Sequence, residues 1–299
     1  MRRALFRFLY LLCFLNLLYL SSACRKPTQP HLTIGSKFFT EQVILAELLA
    51  QHIEATTHIL VERKTNLGGT LLVHKALLSG DLDLYVEYTG TALTAVLNES
   101  PNSDSSAQIY NRVKQQYSQR FNLDVTEPLG FENTFAMVIR SADAQTLHLR
   151  TMSDLAPIAS KWRAGVGYEF LERPDGFPAW STRYNLHFAA APNVMDLGLL
   201  YRALVDHQVD IVAGNSTDGL IDSLHLVALQ DDLHYFPPYD AVPIVRHAAL
   251  EKFPQLRAAL SDLSGKLTAD DMRHLNAQVD ADQRDVAAVV RAFRASKNL

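Results

Sequence analysis

A chain of 299 residues is long enough for two domains, each with a core of its own. Its 48% hydrophobic and 20% charged content excludes a disordered or low-complexity chain. With 28 Lys and Arg against 32 Asp and Glu, the formal charge is −4, and no basic stripe is present, which argues against a nucleic-acid partner. The N-terminus stands apart. "MRRALFRFLYLLCFLNLLYLSSA" sets Arg2, Arg3 and Arg7 before a long apolar run and ends in Ser21-Ser22-Ala23. This order predicts an export signal over residues 1–23, with a retained membrane anchor as the alternative. Cleavage there leaves a single cysteine, Cys24, at the new N-terminus, because Cys13 lies inside the apolar run. Cys24 is then a lipidation candidate, although Ser21 stands three residues before it where a lipobox carries leucine. A soluble exported protein is the other outcome, and neither allows an intramolecular disulfide.

After the signal the elements alternate. "HLTIGSK" (31–37) has the pattern of a strand, and "TEQVILAELLAQHIEA" (40–55) has helical spacing with Thr40 as a cap. "HILVERKT" (58–65) predicts a second strand, and "TLLVHKALLSG" a helix closed by Gly80. "DLDLYVEY" predicts a third strand, and "TGTALTAVL" opens a helix. Strands alternating with helices predict an α/β fold with largely parallel pairing. "NESPNSDSSAQ" (98–108) is a polar surface loop. "PLGFENTFAMVIRS" (128–141) is a long β-like run, and a second set of αβ elements follows it. There "VMDLGLLYRALVDHQ" is an amphipathic helix and "VDIVAGN" a strand ending in a turn. "LVALQDDLHYFPPYDAVPIVRH" (226–247) is β-like again, broken by Pro237-Pro238, and the chain ends in helices. The economical organisation is a discontinuous first α/β domain, residues 31–137 plus 239–299, with residues 138–238 inserted as a second α/β domain and a cleft between them.

Short loops at the C-terminal ends of parallel strands are where open α/β sheets bind ligands. Ser36 and Lys37 follow the first strand, Tyr88 to Thr91 the third, and Asn215 to Gly219 follow "VDIVAG". Helices opening after such loops offer free N–H groups to an anion. The eleven histidines show no metal-ligand spacing, and no HExxH, CxxC, Gly-x-Ser-x-Gly or Walker-type GxxxxGK[ST] is present. No cofactor is expected.

"IGSKFFTEQ", "LGGT", "DLYVEYTGTAL", "EFLERPDG", "STDG" and "FPPYD" occur in that order. Together they resemble the substrate-binding proteins of osmoprotectant ABC importers, which take up glycine betaine, choline, carnitine and related compounds. The likeness extends from about residue 32 to the C-terminal helices. It implies a two-domain venus-flytrap fold (the type II periplasmic-binding-protein class) with two crossing segments. It also implies a monomer in the periplasm or on the outer face of the cytoplasmic membrane, whose partners are a permease and, through it, an ATPase. Such proteins hold a quaternary ammonium in a cage of aromatic rings, each favourable ring contributing about 0.5–2 kcal/mol through cation–π attraction. Matched motif by motif, Tyr88 and Tyr239 take cage positions and Thr91 a hydroxyl contact. Lys37 and Arg173 take the ligand's carboxylate, for which the guanidinium fork is suited. Phe135 and Asn215 stand where the family carries tyrosine. Phe135 keeps the π face, but Asn215 offers no ring, a loss of about two- to thirty-fold in affinity for glycine betaine. The rivals are an enzyme on the same fold, such as a periplasmic dehydratase, with Glu87 and Asp218 as its candidate acid and base, and a ligand-sensing module. Tyr201, inside a helical pattern, is expected in the core.

Overall fold

A computed structural model of the chain describes residues 30–102 and 104–299. The predicted signal, Cys13 and Cys24 lie outside them. The first strand, β1 (His31–Gly35), is buried over its last four residues, and α1 (Thr40–Thr57) follows. Phe39 is the N-cap of α1, and the Thr40 hydroxyl, expected to cap the helix, donates instead to Asp280 at 2.5 Å. The helix stops where His58 turns left-handed (φ 58°) and returns its N–H to the Glu54 carbonyl. Next come β2 (Leu60–Lys64), α2 (Thr70–Ser79), closed by Gly80 at φ 84°, and β3 (Leu84–Tyr88), whose five residues are all buried. The short α3 (Thr89–Thr91) runs into a π-type turn, Ala92–Val96. Then follow α4 (Ser106–Phe121), entered through a Ser105–Gln108 capping box, and β4 (Leu123–Val125).

The chain then crosses to a second sheet. Its elements are β5 (Phe135–Arg140), α5 (Ser141–Thr146), β6 (Ala164–Val166), α6 (Tyr168–Glu172) and α7 (Phe177–Arg183). After them come β7 (Asn193–Val194), α8 (Leu197–Val205), β8 (Ile211–Asn215), α9 (Gly219–Ser223) and β9 (Leu226–Ala228). The chain crosses back to β10 (Ala241–Arg246) and ends in α10 (His247–Lys252), α11 (Leu256–Ser261), α12 (Ala269–Asp280) and α13 (Val286–Lys297).

Two five-stranded sheets result, ordered β2-β1-β3-β10-β4 and β7-β6-β8-β5-β9. Both are mixed, which corrects the expectation of largely parallel pairing. β1 runs parallel to β3, and β6 parallel to β7 and β8, but β10 is antiparallel to β3 and β4, and β5 to β8 and β9. The cause is the crossing. β5 and β10 enter their sheets beside the ends of β8 and β3, as the pairs Phe135↔Asn215 and Ala241↔Tyr88 record, and so run against them. Each sheet is covered on both faces. Leu45, Leu49, Leu260 and Met272 pack on one side of the first sheet, and Val73, Leu77 and Val113 on the other. Trp162, Trp180 and Ile211 pack on one side of the second, and Leu200, Leu204 and Val212 on the other.

The two crossing segments run side by side. Asn133 N–H donates to the Tyr239 carbonyl at 3.0 Å, and Ala241 N–H to the Phe131 carbonyl at 3.0 Å. The β-like run at 128–141 is therefore strand only from Phe135; the residues before it belong to the crossing, where Gly130 takes φ 113°. The predicted helix at "VMDLGLL" begins only at Leu197, because Asn193–Val194 pairs with β6. Near the crossing the lobes also touch directly. The Asn276 amide donates to the Thr217 carbonyl at 2.9 Å, and Arg273 Nη1 to the Ser216 carbonyl at 3.3 Å.

Candidate functional site

The loops at the ends of β1, β3, β6 and β8 converge with the crossing segments on one cavity of about 60 Å³. An ordered water needs roughly 10–15 Å³, so this is space for a small molecule and not for a peptide. Lys37, Tyr88 and Thr91 reach it from the first lobe, Tyr239 from the second crossing segment, and Phe135, Arg173 and Asn215 from the second lobe. All seven residues singled out in the sequence thus line a single space. Phe38, Phe39, Asn133, Glu169, Phe170 and Leu197 line it as well. Phe38 and Phe39 directly follow Lys37, and Glu169 and Phe170 lie inside "EFLERPDG", but the resemblance singles out only the basic residue of each motif.

Six aromatic rings, from both lobes and the crossing, therefore surround the cavity. Phe135 lies 4.6 Å from Phe170 and 6.0 Å from Tyr239, the latter nearly edge-on at 82°; Phe39 stacks on Tyr88 at 6.5 Å. The Thr-Gly-Thr that ends β3 belongs to this packing. A Cβ on Gly90 would lie 2.6 Å and 2.7 Å from ring carbons of Tyr239 and 2.8 Å from the Pro238 carbonyl. Only a glycine lets the Tyr239 ring come that close. Thr89 ties the same loop down: its hydroxyl donates to the Pro238 carbonyl and accepts from Asp240 N–H.

The two cations at the cavity are already paired. Lys37, 2% exposed, donates to Glu87 at 2.5 Å, and its ammonium sits 4.8 Å over the Tyr88 ring. Arg173 grips Asp175 with two bonds, 2.8 Å and 2.6 Å, and its guanidinium lies 5.1 Å from the Phe135 centroid. Burial works against the Arg173 charge, but the adjacent Asp175 carboxylate outweighs it and holds the arginine's pKa above its ordinary value. Burial likewise opposes the charge of Asp175, and the guanidinium prevails, lowering the carboxyl's pKa. Arg173 also reaches across the cleft to the Thr91 hydroxyl at 3.1 Å. Asp175 receives the hydroxyls of Thr94 at 2.9 Å and Tyr239 at 2.5 Å. Thr91 does not cap a helix: α3 is entered through Tyr88 without a side-chain cap.

A second group of acids lies behind the rings. The Tyr88 hydroxyl donates to Glu41 at 2.5 Å, and Asn133 and Asn276 donate to the same carboxyl at 2.8 Å and 3.1 Å. Burial raises the pKa of Glu41 despite those donors. Asp218 accepts from the Tyr201 hydroxyl at 2.5 Å and from Asn215 N–H at 2.9 Å. Burial pushes its carboxyl up to about 6, the charge of Glu41 adding to the effect. Tyr201 is buried, as expected. Glu87 and Asp218, the candidate acid and base of an enzyme, are thus engaged, one in an ion pair and the other in holding its own loop. Among the described residues no group of three or more His, Cys, Asp or Glu is arranged to hold a metal ion. The arrangement offers π faces and no unpaired cation to a small cation, and a binding role follows from it more directly than bond chemistry.

The OpuAC family model, the substrate binding domain of ABC-type glycine betaine transport systems, matches residues 30–296. The carnitine transport binding protein OpuCC of Listeria monocytogenes is 34% identical over 288 residues, 94% of this chain and 92% of that protein. The ergothioneine transport permease/ergothioneine binding protein EgtU of Helicobacter pylori is 34% identical over 291 residues, 97% of this chain and 51% of that longer protein. A crystal structure of a glycine betaine/carnitine/choline ABC transporter superposes with a TM-score of 0.75 at 31% identity, covering 89% of this chain and 98% of that one. No helix among the described residues is long and apolar enough to cross a membrane. The two-lobed architecture is that of periplasmic solute-binding proteins, and the relatives are transporter components. The chain belongs to the OpuAC family of substrate-binding domains of ABC-type glycine betaine transport systems: it is a solute-binding protein of a betaine/carnitine-type importer and not an enzyme.

Proposed function

We propose that the aromatic cavity takes the quaternary ammonium of a small solute, with Tyr88, Phe135 and Tyr239 as its principal rings. Phe38, Phe39 and Phe170 complete the enclosure. The observation that carries this reading is the convergence of six rings from two lobes on one space whose own cations are neutralised. Arg173 and Thr91 face the ligand's polar end. Asn215 gives one wall an amide in place of a ring, which favours a ligand with a hydrogen-bonding group beyond the ammonium. The lobe built on β1–β4 and β10 and the lobe built on β5–β9 act as two jaws about the paired crossing segments. Closing on the ligand favours the form the permease accepts. The mature protein works as a monomer outside the cytoplasmic membrane, with Cys24 as the point of a lipid anchor; mass spectrometry of the mature N-terminus reads that modification directly.

A thermal-shift screen tests the ligand. Glycine betaine, choline, carnitine, ergothioneine and basic amino acids are offered separately. A ligand at a hundredfold excess over its Kd stabilises the folded state by about 2.7 kcal/mol. The expected hits carry a methylated ammonium. A response confined to basic amino acids, or no response at all, overturns the assignment.

A further inference from the structure

Glu169 is the one carboxylate at the cavity that has no salt bridge among the described residues. Lys37 is balanced by Glu87 and Arg173 by Asp175. Glu169 sits on α6, in the second lobe, and its carboxylate is bound across the cleft. Oε1 accepts the Thr70 N–H at 2.6 Å. Thr70 is the first residue of α2, a ten-residue helix of the first lobe whose N-cap, Gly69, has no side chain to satisfy it. A carboxylate of one lobe therefore caps a helix of the other, where the unpaired N–H groups and the partial positive charge of a helix start are found. Two further observations mark this contact as built. A Cβ on Gly69 would lie 2.5 Å from Glu169 Oε1 and 2.7 Å from the Tyr168 hydroxyl oxygen, so the approach requires glycine. The neighbouring Tyr168 ring stacks on Phe38 at 5.5 Å and 17°, again across the cleft.

We infer that Glu169 couples the charge of the ligand to closure of the lobes, docking on the start of α2 to latch them while presenting the cavity's unbalanced negative charge to the bound cation. The inference rests on the cation-binding reading above. A ligand of net charge +1 compensates Glu169. A zwitterion brings its own carboxylate into the same space and gains less.

Two variants separate the two duties. Glu169→Gln keeps an oxygen that can accept from Thr70 N–H and removes the charge; Glu169→Ala removes both. Choline (net +1) and glycine betaine (net zero) are titrated into the full mature protein by calorimetry. Closure at saturating ligand is read from the radius of gyration by small-angle X-ray scattering. Glu169→Gln is expected to weaken choline about tenfold or more, to leave glycine betaine within about threefold, and to close as the wild type does. Glu169→Ala is expected to weaken both ligands and to remain more open at saturation. Equal losses for both ligands in Glu169→Gln, no loss in either, or full closure of Glu169→Ala overturns the inference while leaving the cation-binding reading in place. Failure of the wild type to bind either ligand overturns the inference; failure to bind any methylated ammonium of the thermal-shift screen overturns that reading as well.

Discussion

Asn215 faces Phe135 across the β5–β8 ladder, and both side chains line the cavity. It also lines a wider hollow shared with Phe38, Phe39 and Leu197, so the amide stands at the junction of the two spaces. Directly opposed residues on antiparallel strands hold their Cβ atoms about 4.5–5.5 Å apart. An aromatic ring at position 215 would therefore stand beside Phe135 and add a π face to the enclosure. Its backbone N–H would keep the bond to Asp218. Asn215→Tyr is expected to tighten glycine betaine by about two- to thirty-fold in calorimetry. Unchanged or weaker binding counts against an aromatic cage. The seven cavity residues were legible because the short motifs around them resemble those of a known family. Phe38, Phe39, Glu169 and Phe170 were not, though they lie in the same motifs. A side chain in a cleft loop is defined by what approaches from the other lobe, and the local pattern does not carry that. The pairing of Lys37 with Glu87 and of Arg173 with Asp175 was not legible either, because those partners are recognisable only once the chain is folded.

At the level of elements, periodicity revealed most strands and helices but not their direction. Nothing in "FAMVIR" or "AVPIVR" says that these strands run against their neighbours; that follows from the crossing segments that deliver them. The same crossing explains why Pro237-Pro238 is tolerated: it falls between β9 and β10, where no ladder bond is needed. The junction of β3 with α3 shows how closely these parts fit. Gly90 meets both the Tyr239 ring and the Pro238 carbonyl, and the carbonyl, being backbone, cannot turn aside. Gly90→Ala is expected to cost about 1–3 kcal/mol by denaturant unfolding, the range for inserting a methyl into packed surroundings. It should also displace the Tyr239 ring and weaken the ligand about tenfold. A variant that keeps both stability and affinity would show that the contact is slack.

Across the whole molecule, one buried and one half-buried group give stability opposite dependences on pH. His74, 6% exposed, packs edge-on against Tyr117 and Phe121, with neither ring nitrogen bonded among the described residues. Burial lowers its pKa from 6.5 to about 4. The unfolded chain then binds the proton more readily, so this contribution to stability is lost as pH falls from 6.5 towards 4. Asp218 lies where the second lobe meets the first, and burial together with the charge of Glu41 raises its pKa from 3.8 to about 6. Here the folded chain holds the proton better, so the contribution is full below 3.8 and lost as pH rises through 6. Each replacement should expose one slope. The melting temperature of His74→Leu, minus that of the wild type, is expected to grow as pH falls from 6.5 to 4. The same difference for Asp218→Asn is expected to grow as pH rises from 4 to 6, because the amide still accepts from Tyr201 and Asn215 but never charges beside Glu41. Melting curves at half-unit pH steps measure both differences. Parallel curves for either variant and the wild type would mean that the replaced group titrates alike in the folded and unfolded chain, and that its burial has no hold on its proton.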